Sequence, residues 1–191
     1  MTLLQIMPED APETVRVRTG DVDVIHKQLL GIGVRFARWH AARRLPADAD
    51  DATIRHAYRS HIEHLGAEGY PVADIARVTS SPGDRDRPRR TRPARARFRA
   101  EHFHDEDVVR FVVHGAGCFY LHVAGQVHAM LCTAGDLLSV PGRTAHWFDA
   151  GARPCYTAIR FFQEAGERPV RFLPDGIAAR FPAFDELPAT S

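Results

Sequence analysis

The sequence predicts a mainly β fold, a sandwich or barrel with a few peripheral helices, and three observations carry that expectation. Short apolar segments succeed one another between Phe98 and Phe162, at the close spacing of all-β architectures. Turn-forming clusters such as Gly115-Ala116-Gly117, Ala124-Gly125 and Pro141-Gly142 punctuate them. A chain of 191 residues with 45% hydrophobic content suits one domain that buries roughly 70% of its unfolded surface and encloses an interior pocket.

Taken in order, residues 1–79 read as an α/β elaboration preceding the barrel. Leu3 to Ile6 is a short apolar strand, and Val15 to Arg18 alternates as a second. Asp21 is placed to cap a helix over Val22 to Leu30, which Gly31 and Gly33 end. Val34 to Trp39 alternates again, as a strand with one buried face does. A helix beginning at Asp50-Asp51-Ala52-Thr53 places Ile54, Ala57, Tyr58, His61, Ile62 and Leu65 on one stripe, expected to pack against the barrel's outside. His56, His61 and His64 share helical spacing but lack the acid of a His-Glu-x-x-His site, so they read as structural.

Residues 80–97 form an Arg/Pro-rich loop, with Pro82, Gly83, Pro88 and Pro93 interrupting regular structure and a run of arginines reaching Arg99. Like charges repel and stay solvated. Without interleaved aromatics this run is not a nucleic-acid site. Barrel strands are expected over residues 98–104, 108–114, 117–123, 126–132, 137–140, 145–149 and 156–162, in a core spanning 98–163, with the tail 164–191 wrapping the outside.

A net charge of +1 excludes a global attraction to nucleic acid or membrane. Cys118, Cys132 and Cys155 lack metal-site spacing and lie in apolar segments, so they read as reduced packing residues. No signal sequence or membrane-length apolar run is evident, which suggests a cytoplasmic protein, monomeric or a small homo-oligomer.

Chemistry concentrates at Glu101-His102-Phe103-His104-Asp105-Glu106-Asp107-Val108. Two residues apart on an extended segment, His102 and His104 leave the same face and can share one divalent metal, although exposed strand histidines follow the same pattern. Downstream, Gly135, Pro141 and His146 bring a second strand through a Pro-Gly turn to a third imidazole. These paired motifs resemble those of the cupin superfamily, double-stranded β-helix (jelly-roll) barrels with a metal inside. Glu101-His102, Glu106-Asp107, Val109-Arg110-Phe111, Gly115-Ala116-Gly117, Ser139-Val140-Pro141 and His146-Trp147-Phe148-Asp149 are similar to the acireductone dioxygenase family. Thr157-Ala158-Ile159-Arg160, Gly33-Val34-Arg35-Phe36 and Trp39 extend the resemblance over nearly the whole chain.

The resemblance implies a metal at His102, His104 and His146, a substrate pocket containing Arg110, and aromatic walls at Phe98 and Phe148. It also implies a fourth ligand, a glutamate four residues after the second histidine, where this chain has Val108. A hydrocarbon cannot donate to a metal. Three outcomes follow: a three-histidine site, substitution by Glu106 or Asp107, or loss of the metal. A hairpin at Asp105 to Asp107 would run the next strand back beside the histidines, with Val108, Arg110 and Val112 inward. An inward arginine needs an anion or a hydrogen-bond network, which an enediolate substrate or a structural acid would supply. Arg160 could be structural or could face the pocket.

The implied activity is cleavage of carbon-carbon bonds in an enediol or β-dicarbonyl small molecule by O2, with Fe(II), Ni(II) or another transition metal. In the family, iron implies a 2-oxo acid plus formate, and nickel implies carbon monoxide, formate and a shorter acid. The altered ligand position leaves room for a specialised-metabolism substrate as well as for methionine salvage. The competing class is a non-oxidative or non-catalytic metal-binding cupin, such as an isomerase or a small-molecule binder.

Overall fold

The computed structural model describes residues 1–39, 45–79 and 95–187. In chain order it contains β1 (Leu3–Pro8), β2 (Val17–Thr19), α1 (Val22–Leu30), β3 (Arg35–Arg38), α2 (Asp51–Ala57), α3 (Arg59–Ala67) and β4 (Val72–Thr79). A short helix over 95–99 leads into β5 (His102–Phe103), β6 (Val108–Val123), β7 (Gln126–Thr133), β8 (Asp136–Val140), β9 (Ala145–Asp149), β10 (Cys155–Phe162) and β11 (Arg171–Phe172). Two 3-10 turns, Ala178–Arg180 and Phe184–Glu186, complete the tail.

The strands make one folded-over sheet. One face runs β11-β5-β9-β6-β7-β1-β2, and the other joins β3, β8, β6, β10 and β4. β6 belongs to both: residues 108–115 pair with β8 and β10, whereas 116–123 pair with β7 and β9. It turns the corner at Gly115, whose φ is +74° and where a Cβ would lie 1.7 Å from the Cys155 carbonyl oxygen. Only glycine fits both the backbone angle and that contact.

Alternation along β6 sorts the core. Val108 and Val112 face the barrel interior with Leu121, Met130, Leu138 and Ala158. Val109, Phe111 and Val113 point outward beneath Ile54, Tyr58 and Leu65 of the helices, as the apolar stripe predicts. Asp21 and Asp50 cap their helices by accepting from Val24 N at 3.1 Å and Thr53 N at 2.8 Å. The expected single second helix divides at Tyr58, whose φ of −110° is not helical. His61 stacks on Phe111 rather than ligating.

Several expectations need correction. Residues 105–107 form no hairpin: β5 pairs with β9 and β11, while the start of β6 pairs with β8 and β10. The segment crosses from one face of the barrel to the other. Phe98 lies on the 95–99 helix rather than on a strand. A strand the sequence reading did not include, β4, runs along the full length of β10. Cys118 and Cys132 are buried, but Cys155 is exposed. Of the Arg/Pro-rich loop, residues 80–94 lie outside the described residues, and Arg95 anchors its end through a two-point ion pair with buried Asp149 at 2.7 and 2.8 Å. No described helix is long and apolar enough to cross a membrane.

His128 of β7 supplies a stability test. It is 3% exposed, and burial holds its imidazole below the usual value. An unfolded chain therefore takes up a proton near pH 6.5 that the folded chain refuses, so stability falls as pH drops below that value. The thermal midpoint is expected to fall between pH 7.5 and 5.5, and by less in His128→Met. Equal falls in the two proteins would remove His128 from the account.

Candidate metal centre

His102 opens β5 directly across from His146 of β9 in the strand register. His104 follows just beyond β5, on the same side as the two-residue spacing requires. Ring centroids lie 4.6 Å apart for His102 and His146, 5.3 Å for His102 and His104, and 5.6 Å for His104 and His146. One nitrogen from each falls within 4.8 Å of the others.

The other nitrogen of each ring orients it. The Nδ1–H groups of His102, His104 and His146 donate to the carbonyl oxygens of Ala100 (2.7 Å), Pro169 (3.3 Å) and Thr144 (2.8 Å). A carbonyl only accepts, so the proton sits on Nδ1 and every Nε2 presents a lone pair to the common centre. Burial lowers all three pKa values, that of His146 to about 3. The rings are neutral at pH 7, as metal ligation requires. This donor set fits a divalent transition-metal ion.

Neighbouring acids hold the scaffold. Asp107 accepts from Gly142 N at 2.8 Å and from the Tyr70 hydroxyl at 2.6 Å, binding the Pro141-Gly142 turn to the loop after His104. Gly142 permits this approach, since a Cβ there would lie 2.3 Å from the Asp105 carbonyl oxygen. Arg143 N also donates to His104 O at 2.6 Å. Asp105 pairs with Arg143 and Arg171, and Glu106 lies 3.4 Å from Arg168. Among the described residues no carboxylate joins the three imidazoles.

The histidines line one wall of a cavity of about 380 Å³, a size suited to a small molecule. Val108, Arg110, Phe98 and Phe148 line it too, so the expected pocket residues are brought together. Phe98 is 50% exposed and stands at the rim. Phe148 packs where a Cβ on Gly117 would intrude to 2.5 Å, so the glycine makes room for the ring.

Arg110 is partly buried and donates to Val109 O at 2.8 Å. No carboxylate forms an ion pair with it among the described residues, and Asp74 attracts it only from farther off. Burial lowers its pKa to about 10, which leaves it charged at neutral pH. Arg160, by contrast, makes a two-point pair with Asp74 at 2.6 and 2.5 Å while still facing the cavity.

Sequence reasoning missed Tyr156, Phe162 and Arg168 as cavity residues. Alternation along β10 was a usable signal for the first two, because Tyr156, Arg160 and Phe162 share a face. Arg168 sits in an irregular segment whose sequence carries no period.

Comparisons with known proteins agree with this geometry. Residues 7–168 match the family model described as ARD/ARD′. The chain is 44% identical to acireductone dioxygenase 1 of Nocardia farcinica, over 98% of this chain and 99% of that one. It is 43% identical to acireductone dioxygenase of Saccharopolyspora erythraea over the full length of both. The solved acireductone dioxygenase from Bacillus anthracis, with a cadmium ion in its active center, superposes with a TM-score of 0.70 at 26% identity, covering 86% of this chain and 94% of that one. Cupin-type topology, a converging imidazole triad and full-length similarity thus agree, and the chain belongs to the acireductone dioxygenase (ARD/ARD′) family.

Proposed function

We propose that this protein is a metal-dependent dioxygenase that cleaves carbon-carbon bonds of an enediol or β-dicarbonyl small molecule with O2, using His102, His104 and His146 as the metal ligands. The observation that carries this reading is the convergence of three neutral imidazoles, each with Nδ1 committed to a carbonyl, on a cavity that also holds an arginine without an ion-paired acid among the described residues. Fe(II) is the favoured metal and Ni(II) the principal substitute. The chemistry such a cation supplies is Lewis-acid polarisation of an enediolate and redox access to O2.

The chain's own residues prepare the substrate. Arg110 favours the ionised enediolate by charge and fixes its orientation through guanidinium hydrogen bonds. Val108, Phe148 and Phe98 cover the reacting carbons and exclude water, which strengthens that interaction. With hydrocarbon at Val108, the three neutral ligands leave the cation its full charge, so dianionic chelators are favoured. We place the enzyme in the cytoplasm, as one domain acting on a small molecule without nucleic acid or membrane, in a specialised pathway.

Oxygen-electrode measurements on iron-loaded protein supplied with a synthetic acireductone test the reading. Uptake of O2 in proportion to substrate lost is expected, and binding without uptake would establish the non-oxidative class instead. Val108→Glu tests the ligand geometry: chelator-induced metal loss should slow by about tenfold as a carboxylate joins the site. An unchanged rate of loss would mean that position 108 does not face the metal.

A further inference from the structure

We propose that the cavity also binds a second acidic group of the substrate, a carboxylate or a phosphate, between Arg110, Arg160 and Arg168 with Tyr156 as an added donor. The idea rests on the oxygenase reading for its link to substrate, but the anion site stands on its own geometry.

Strand register sets Arg110 of β6 directly opposite Arg160 of β10, and Arg160 opposite Asp74 of β4. Like charges directly across a sheet repel; Asp74 accepts hydrogen bonds from Arg160 and attracts Arg110 only from farther off. Arg168 reaches the same place from the loop before β11. Its guanidinium carbon lies 3.5 Å from the centroid of Phe162, while those of Arg110 and Arg160 lie 5.5 Å from it. Three guanidinium groups thus surround one ring, whose quadrupole attracts cations but carries no net charge.

The available acids do not balance this cluster. Asp74 offsets Arg160 and Glu106 approaches Arg168, which leaves Arg110 and, at the rim, Arg97 without an ion-paired acid among the described residues. Among the described residues, no Asp or Glu lines the cavity. An enediolate dianion shared by a divalent metal and Arg110 would offset two of their three positive charges, and the remaining charge calls for a further anion. Arg168 is fixed in place by donating to the carbonyls of Gly166 and Glu164 in its own loop, and its buried Nε has no hydrogen-bond partner among the described residues.

Tyr156 adds an unpartnered donor. It is 4% exposed, lines the cavity, and its hydroxyl has no hydrogen-bond partner among the described residues. Burial raises its pKa, so the phenol keeps its proton. A buried hydroxyl without a partner is uncommon and points to a missing ligand atom. Along β6, Arg110 lies two residues past Val108, roughly 7 Å further on, so the second acidic group would sit one pleat from the metal-binding end.

The test is calorimetric titration of inorganic phosphate and, separately, malonate into metal-free full-length protein at one low ionic strength. Saturable one-to-one binding is expected for at least one anion, and the tighter of the two identifies the group as phosphate or carboxylate. Arg168→Gln should weaken it on the order of tenfold or more, Arg168→Lys by less, and Arg153→Gln on the exposed surface not at all. If Arg168→Gln does not fold, Tyr156→Phe serves, with an expected weakening of several-fold. No saturable binding, or equal binding by Arg168→Gln, overturns the subsite. Because no metal is present, that failure is separate from failure of the oxygenase reading, which O2 uptake on an uncharged-tail acireductone decides.

Discussion

His146→Ala is expected to lose its metal on purification and to lower O2 uptake by at least about a thousandfold. The argument starts from position: His146 is 4% exposed, faces His102 across two paired strands, and has its ring fixed by the Thr144 carbonyl. Removing it leaves two imidazoles from one short segment, and no described carboxylate is near enough to replace it. Asp107 cannot turn inward without giving up Gly142 N and the Tyr70 hydroxyl. The fold should survive, since β9 keeps Trp147 and its ladder with β6. Elemental analysis, O2 uptake and circular dichroism on the same sample separate the cases. A folded variant with one equivalent of tightly held metal would show that the centre lies elsewhere.

Much of the site was legible because strand periodicity and ligand spacing are local. His102 and His104 advertise themselves by two-residue spacing, and the Pro141-Gly142 turn marks the return to His146. Caps at Asp21 and Asp50, and the stripe from Ile54 to Leu65, are equally local signals. The misread turn at Asp105 to Asp107 has a different origin. A short acidic connection looks the same whether the next strand pairs with the last or crosses to the opposite face, and only the sheet-wide register decides. Gly115 hid the continuity of β6 in the same way, reading as a break where the chain bends without leaving the sheet. β4 carries no clean alternation in Val72 to Thr79, and it gains its meaning only from Asp74 meeting Arg160 across the ladder. Arg168 enters the cavity through tertiary placement alone, which no pattern within the loop encodes.

Trp147→Ala should cost about 3–5 kcal/mol of stability, lowering the thermal midpoint by roughly 10 °C for a chain of this size. Trp147 lies between His146 and Phe148 but points to the opposite face, as alternation requires. It is 1% exposed, stacks on Tyr120 with ring centroids 5.1 Å apart, and meets Phe181 at 5.7 Å. Tyr120 in turn donates its hydroxyl to Pro182 O at 2.8 Å. The indole therefore joins the C-terminal tail to the back of the strand that carries His146. The tail reaches the metal end as well: Ile177 N donates to buried Glu101, adjacent to His102. Truncation should release the tail before the barrel melts, so limited proteolysis of Trp147→Ala is expected to cut first within residues 173–187. Should that segment resist protease as well as it does in the unaltered protein, the indole would be a core residue only, with no part in holding the tail against the histidine strand.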